Sequence, residues 1–439
     1  MVPLTKYQNK KIAIYGMGIT GFSAAKILKK SKAEVLCWDD KRKVREKVTR
    51  SNFKIKKFWE ERKKIDKIVI SPGIDIYKCK IKNFLKKNYK KIITDIDLFF
   101  EYNKGDKIIS ITGTNGKSTT CKIIEKILKS AKHNVKTLGN IGSPILFSSR
   151  RKKNYVFVLE ISSYQLQYSK LFRSKHAAIL NLSPDHLERH ESMENYTKIK
   201  SRIFYAQKSS DFSYINANNK YSKKIKNIIL NKKIKSKLVL INKSNYNYLI
   251  KKINNKYFNS EGNFENLIFA YKIVKSLGVS DKIIIKSINK FKGLPHRQEV
   301  IFSRDKLLFI NDSKATSFDA SLQSLSNYNN IYWIVGGLPK YKDYFNLNSL
   351  KKKIVKAYII GKNTSFFEKQ LKNKIPYTIS KNMNVAIQNI IQDLKIDKHI
   401  KKTILFSPAS ASFDQFRNFE ERGNYFKNLI LKKFKKNND

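Results

Sequence analysis

Short apolar runs without polar alternation recur along the chain, and most of them end in glycine or small polar residues. In the first segment they are "KIAIYGMGITG", "AEVLCWDD", "KIVISPG" and "KKIITD", separated by stretches with helical spacing. Strands that are apolar at every position are covered on both faces. The pattern therefore predicts parallel sheets flanked by helices. A second segment repeats the habit with "ISITGTNGKSTTCKII", "YVFVLEISS" and "HAAILNLSPDH". A third does so with "LLFINDSKAT", "NIYWIVGGLPK", "KAYIIGK" and "TILFSPASASFDQF". The fold class expected is α/β in three domains, at about 1–94, 95–294 and 295–439. The stretch 211–260 reads as strand-rich, but its density of Lys and Asn leaves the elements undelimited. Open α/β sheets bind ligands at the carboxyl ends of their strands, so each domain offers one edge of candidate site residues.

Composition changes this picture little. The 439 residues carry 91 Lys and Arg against 34 Asp and Glu, a formal net charge of +57. A basic P-loop protein acting on nucleic acid is one reading. The lysines, however, are spread evenly and travel with Asn and Ile, as codons of an AT-rich genome would give. A solvated lysine surface is the preferred account, and it still attracts phosphates. Three cysteines, Cys37, Cys79 and Cys121, form no C-x-x-C pair. That argues against a disulfide framework or a zinc site and fits a reducing cytosol. With no apolar leader and no run of about 18 apolar residues, a cytoplasmic chain without membrane insertion is expected.

The chemistry begins at "TGTNGKST". Strand, glycine turn, lysine, hydroxyls and helix follow one another as in a phosphate-binding loop. The loop is two residues shorter than G-x-x-x-x-G-K-[ST], because the first glycine is Gly113. Gly113 and Gly116 let backbone N–H groups face phosphates, Lys117 reaches the terminal phosphates and Ser118 can ligate Mg²⁺. Glu160 and His186 end their own strands on the same edge, and this donor set suits Mg²⁺ or Mn²⁺. In the first segment Gly16, Gly18 and Gly21 match G-x-G-x-x-G, followed by Asp39. Alone this turn suggests a dinucleotide. Beside a second phosphate loop, the diphosphate of a UDP-linked substrate ranks above NAD.

Lys200 stands out among the lysines. In "ENYTKIKSRIFYA", Tyr196, Ile199, Ile203 and Phe204 form an apolar helical stripe. At 100° per residue Lys200 falls inside it and Lys198 opposite. Burial lowers a lysine's pKa and makes a neutral amine available, able to take up CO₂ as an anionic carbamate. A snorkelling side chain is the alternative.

Together "TGTNGKST", "GNIG", "LEISSYQL", "LSPDH", "GLPHR", "NDSKAT" and "SPASASFDQFRNFEERG" resemble the Mur ligases, in order and over almost the whole chain. "NDSKAT" and "SPASASFDQF" resemble the branch of that family that adds D-glutamate. The resemblance implies a Rossmann-like N-terminal domain for a UDP-substrate, a central P-loop-type ATPase domain and a Rossmann-like C-terminal domain for D-glutamate. It implies a monomer acting in peptidoglycan precursor synthesis. ATP would phosphorylate the carboxylate of UDP-MurNAc-L-Ala, and the amine of D-glutamate would attack the acyl phosphate. Closure of the third domain about "GLPHR" would keep water away.

Carried over residue by residue, the resemblance implies catalytic roles for Lys117, Glu160, His186 and Lys200. It places ATP at Gly113, Thr114, Asn115, Gly116, Lys117, Ser118, Thr119, Asn266, Arg297, Asp312 and Lys314. Ser118, Glu160, His186 and a carbamylated Lys200 would hold the metal. Gly18, Ile19, Thr20, Asp39, Ser71, Gly73, Asn140 and Ser162 would meet the UDP-substrate, with Asp40 and Lys41 near the uracil end. Thr316, Lys340, Ser412 and Phe419 would hold D-glutamate. Two positions depart from the family's pattern: Gly262-Asn263 stands where His-Asn is usual, and Leu338 where Asp is usual.

Overall fold

The structure is a computed structural model that describes residues 4–61, 64–140, 143–147, 154–304, 306–340, 343–394 and 401–435. Three sheets form among them. In the first, β1 (Lys11–Tyr15), β2 (Glu34–Trp38), β3 (Lys54–Ile55), β4 (Lys67–Ile70) and β5 (Ile92–Ile93) run parallel in the order β3-β2-β1-β4-β5. The second holds β6 (Lys107–Thr112), β7 (Val135–Gly139), β8 (Val156–Glu160), β9 (His176–Ile179), β10 (Phe212–Asn216) and β11 (Lys237–Ile241). These too are parallel, ordered β11-β10-β9-β6-β8-β7. The third holds β12 (Glu299–Arg304), β13 (Leu307–Asn311), β14 (Ile331–Gly336), β15 (Ile354–Ile360), β16 (Tyr377–Lys381) and β17 (Lys402–Phe406). Its order is β12-β13-β17-β14-β15-β16, parallel except for the antiparallel β12–β13 pair.

β1, β6, β8, β14 and β17 are buried along their whole lengths except for Lys107, as continuous apolar runs require. In the second sheet β6 has β8 on one side and β9 on the other, so crossovers leave it in both directions. Its carboxyl end, where the phosphate loop begins, is thus the topological switch point at which open α/β sheets take their ligands.

The chain falls into two compact units, Met1–Phe291 and Lys292–Asp439. Within the first unit, one apolar cluster draws Leu28 and Val69 from the first sheet's layer together with Ile96, Phe99 and Phe157. Phe99 and Phe157 meet edge to face at 5.1 Å. The Asp95–Tyr102 helix joins the two sheets. Its Asp97 accepts hydrogen bonds from Thr94 N, Ser169 Oγ, Leu171 N and Phe172 N, a many-donor anchor that holds the helix to the following layer. The second unit keeps its own core around Trp333, Phe318 and Phe345. The stripe around Lys200 lies on a helix as expected, Met193–Ser201. Ile203 and Phe204 belong to a 3₁₀ turn that tightens its end.

Candidate active site

The loop after β6 is tied to the turn after β9. Thr114 N donates to Asn181 O at 2.9 Å, and Asn115 N to Asn181 Oδ1 at 2.8 Å. Ser183 N donates to Thr114 Oγ1 at 3.0 Å. Gly116 has φ +81°, and a Cβ there would lie 2.0 Å from Asn266 Oδ1, so only glycine lets Asn266 close against the loop. Asn266 comes from the Glu261–Lys275 helix, which packs on the Lys117–Ser130 helix. Its Oδ1 also accepts from Thr120 Oγ1 at 3.3 Å. The loop residues and Asn266, named separately from the sequence, are thus one assembly. Ser118 and Thr119 open the helix, both buried.

Two lysines converge on this loop. Lys117 Nζ donates to Gly113 O at 2.9 Å and Thr114 O at 2.6 Å. Lys200 Nζ donates to the same Gly113 O at 2.9 Å and to Thr112 Oγ1 at 3.2 Å, and sits 4.8 Å from the centre of the Tyr196 ring. Lys200 is 2% exposed while Lys198 is exposed, as the stripe required. Burial first, then the charge of Lys117, push the Lys200 pKa well below the ordinary lysine range. Ser118 Oγ donates to Glu160 Oε2 at 2.6 Å, pairing two hard oxygens beside the loop. His186 is held by its own turn. Its φ is +55°, Nδ1 meets Tyr164 OH at 3.0 Å, and Nε2 lies 3.4 Å from Asp185 Oδ2. Among the described residues no three His, Cys, Asp or Glu side chains gather as a metal cluster. The donor set present, Ser118 with Glu160, is nevertheless of the oxygen type that Mg²⁺ takes.

On the first sheet, Gly18 caps the Ile19–Lys30 helix, with Ile19 exposed and Thr20 half-buried. The Asp39 carboxylate accepts from Met17 N at 2.7 Å and Lys41 N at 2.9 Å, which shapes the turn. Asp40 accepts from Tyr15 OH at 2.7 Å. Ser71 Oγ donates to Gly16 O at 2.5 Å, bridging the ends of β1 and β4, and Gly73 lies exposed just beyond. Asn140 is exposed and donates its N–H to Glu160 O at 3.2 Å. Ile141 and Gly142 of "GNIG" lie outside the described residues. Ser162 caps the short Ser163–Leu166 helix in a box with Gln165.

In the second unit the loops after β14 and β17 zip together. Leu338 and Ala411 exchange both backbone hydrogen bonds at 2.9 Å, and Ser410 Oγ donates to Gly336 O at 2.6 Å. Leu338, at the departure from the family's pattern, is thus held through its backbone with its side chain 43% exposed. Ser412 is buried in this zip, and Lys340 is half-buried at its edge. Lys314 Nζ stands 3.5 Å over the Phe419 ring, and Thr316 follows in the next turn. Lys314 N donates to His296 O at 3.1 Å, which brings it beside the turn that carries Arg297. Asp312 is buried. It accepts from Gln298 N, Ser324 Oγ and Ser407 Oγ, which makes it an internal anchor of its loop. Burial pushes its carboxyl up to about 6.

Residues 10–93 match the Mur ligase MurD-like N-terminal domain and residues 111–280 the Mur ligase middle domain. The UDP-N-acetylmuramoylalanine–D-glutamate ligase of Rickettsia felis is 37% identical, covering 97% of this chain and 98% of its own. The one of Phenylobacterium zucineum is 32% identical over 98% of each. The chain belongs to the Mur ligase family. It is an enzyme, a ligase. Among solved Mur ligases, MurF of Acinetobacter baumannii shares the fold with a TM-score of 0.57, at 14% identity over 97% of this chain and 92% of that one. MurC of Thermotoga maritima does so with 0.52, at 14% identity over 97% and 99%. No helix among the described residues is long and apolar enough to cross a membrane.

The sequence reading of this Mur ligase passed over two residues that organise the sites. Asn181 holds the phosphate loop, and its amide was concealed in "LNLSPDH". Arg422, 1% exposed, donates from Nε to Ser313 Oγ at 3.1 Å and from Nη2 to Ser313 O and Ser410 O, each at 2.9 Å. It underlies the loops that carry Lys314 and Ser412. The signal that could have found it is the one that found Lys200. Arg422, Phe426 and Ile430 repeat every four residues, and all are buried.

Proposed function

We propose that this ligase joins D-glutamate to UDP-N-acetylmuramoyl-L-alanine, at the cost of ATP, in peptidoglycan precursor synthesis. The observation that carries the reading is the meeting of Lys117 and a buried Lys200 on Gly113 O, beside the Ser118–Glu160 pair. Near-full-length similarity to D-glutamate ligases supports the choice of substrates.

The loop 113–119 would cradle the ATP phosphates with its N–H groups, and Asn266 would brace it. Lys117 would exchange its two carbonyl partners for phosphate oxygens. Ser118 and Glu160, with His186 and a carbamylated Lys200, would hold Mg²⁺ (or Mn²⁺). When bound, the cation supplies charge neutralisation for phosphoryl transfer. A depressed pKa leaves the Lys200 amine free to add to CO₂, losing one proton and gaining a carboxylate. Arg297, Asp312 and Lys314 are assigned to the nucleotide.

The UDP-substrate would lie along Gly18, Ile19, Thr20, Asp39, Ser71 and Gly73, with its reacting end near Asn140 and Ser162. Thr316, Lys340, Ser412 and Phe419 would hold D-glutamate, with N–H, hydroxyl and ammonium donors for its two carboxylates. The γ-phosphoryl passes to the alanine carboxylate, and ADP leaves. The D-glutamate amine then attacks the acyl carbon, loses a proton and expels phosphate. The enzyme would act as a cytoplasmic monomer.

Phosphate release with UDP-MurNAc-L-Ala and a panel of D- and L-amino acids tests the reading. Turnover with D-glutamate is the expected result. Turnover with L-alanine or a diamino acid, but not with D-glutamate, would overturn it.

A further inference from the structure

Asp95 begins the Asp95–Tyr102 helix, in the same unit as the phosphate loop. Its side chain is buried. Oδ2 accepts from Gln165 Nε2 at 2.9 Å, and Oδ1 has no hydrogen-bond partner. The capping box at the helix start does not use it: Asp97 accepts from Thr94 N and Thr94 Oγ1 and gathers the donors of residues 169–172. Burial pushes the Asp95 carboxyl up to about 6, against the pull of Gln165 and nearby backbone N–H groups. A buried carboxylate with an unmet oxygen is a poor stabiliser of a fold.

What the carboxylate does is orient an amide. An ionised carboxylate only accepts, so Gln165 turns Nε2 toward it and Oε1 away. Oε1 then accepts from Ser162 N and from Ser162 Oγ, both at 3.1 Å. The single hydroxyl proton of Ser162 is thereby committed inward. Its oxygen also accepts from Gln165 N at 3.3 Å, and what remains to it is a lone pair.

We propose that Asp95 is a positioning residue that acts through Gln165 to fix the Ser162 hydroxyl as an acceptor, so that Ser162 receives an amide N–H of the muramyl-peptide substrate rather than an anionic oxygen. The inference rests on Ser162 facing the UDP-substrate. A substrate of this class carries such N–H groups at its N-acetyl group and at the bond to alanine.

The test is steady-state kinetics of the full chain, with KM measured separately for UDP-MurNAc-L-Ala, ATP and D-glutamate. Asp95→Ala should raise KM for the UDP-substrate about tenfold, with kcat and the other two KM values within about threefold. Asp95→Asn, whose carbonyl still accepts from Gln165, should restore it to within about threefold of the wild type. Ser162→Ala should match Asp95→Ala, and the double variant should be no worse. If Ser162→Ala raises that KM and Asp95→Ala does not, the positioning role is refuted while the Ser162 contact stands. If Ser162→Ala changes nothing, both fail. If Asp95→Ala raises all three KM values alike, or Asp95→Asn is as impaired as Asp95→Ala, the role is structural and the inference is overturned. Should Asp95→Ala not fold, Gln165→Leu removes the same link and is read by the same outcomes.

Discussion

Lys200, beside the phosphate loop, and Arg422, beneath the 410–419 loop, are both fully buried, and neither is hydrogen-bonded to a carboxylate. Each donates instead to backbone carbonyls and hydroxyls, and burial lowers the pKa of each. The outcomes differ because the groups differ. A lysine can relieve the strain of burial by releasing its proton, which leaves a nucleophilic amine. Arg422 is lowered only to about 9 and remains a cation at neutral pH, so its fork of donors fastens two loops together. In one unit a buried lysine can become the neutral amine that the proposed chemistry needs; in the other a buried arginine is a clamp.

Exchanging the two solutions should break the enzyme most severely at position 200. Lys200→Arg keeps length and charge but cannot give up a proton. Turnover should fall by about a thousandfold or more in a phosphate-release assay, as for the loss of a member of a catalytic unit. Short carboxylates should partly restore Lys200→Ala, whose cavity can admit them, and should not restore Lys200→Arg. An arginine variant with more than about a tenth of normal turnover would show that a neutral amine is not needed.

At position 422 the effect should be on stability. Lys200→Met leaves a site that can still fold, whereas Arg422→Met strands three acceptors, Ser313 O, Ser313 Oγ and Ser410 O. At about 1 kcal/mol for each lost partner, the second unit should lose about 3 kcal/mol. Trp333 is the only tryptophan of that unit, and its indole donates to Ser407 O at 2.7 Å, so its fluorescence in urea reports the loss. Arg422→Lys should recover about half, since an ammonium cannot reach both loops at once. A midpoint unchanged in Arg422→Met would refute the clamp.

The two residues also measure what could be read from the chain. Both lie on apolar helical stripes, but Lys200 was sought among lysines and Arg422 sat in "RNFEERG", where charges crowd and hide one buried member. Strands show the same limit. The central strands were legible because burial on both faces demands unbroken apolar runs. Most of the strands left undelimited, β3, β7, β11, β12 and β16, are sheet edges, half-exposed and free to carry Lys and Ser. β10, in the stretch 211–260 that reads as strand-rich, was not delimited because Ser213 breaks its apolar run near the start and Asn216 ends it. The phosphate loop was found by spacing. The tie from Asn181 and the relay from Asp95 were not, because hydrogen bonds between distant segments leave no period in a sequence.

A glycine in each unit sharpens the contrast at a smaller scale. Gly116 would press a Cβ on Asn266. Gly337, at φ +136°, would press one on Ala411 O at 2.5 Å and near Arg422 Nη1 at 3.2 Å. Gly116→Ala should raise KM for ATP by about tenfold to a hundredfold and spare D-glutamate; Gly337→Ala should do the reverse. If either substitution raises both constants equally, the two glycines do not serve separate ligands.

Acid should separate the units by a still smaller margin, through two buried groups of opposite sign. His176 opens β9, stacked on Phe212, and burial lowers its pKa to about 4. Unfolded, it titrates near 6.5, so the folded state binds fewer protons. Its contribution to stability is complete above that value and declines as the pH falls toward 4. From pH 6.5 to 5.5 the loss is about 1 kcal/mol. Asp312 runs the other way. Its folded pKa of about 6 lies above the unfolded value, so its contribution is complete in acid and is lost as the pH rises through 6. The same step from 6.5 to 5.5 restores about 0.7 kcal/mol. Amide exchange, corrected for intrinsic rate, should therefore quicken in β10 and slow slightly in β14 on acidification. His176→Asn should flatten the first trend and Asp312→Asn the second. Parallel behaviour of both strands in all three proteins would mean that these two groups do not set the acid response.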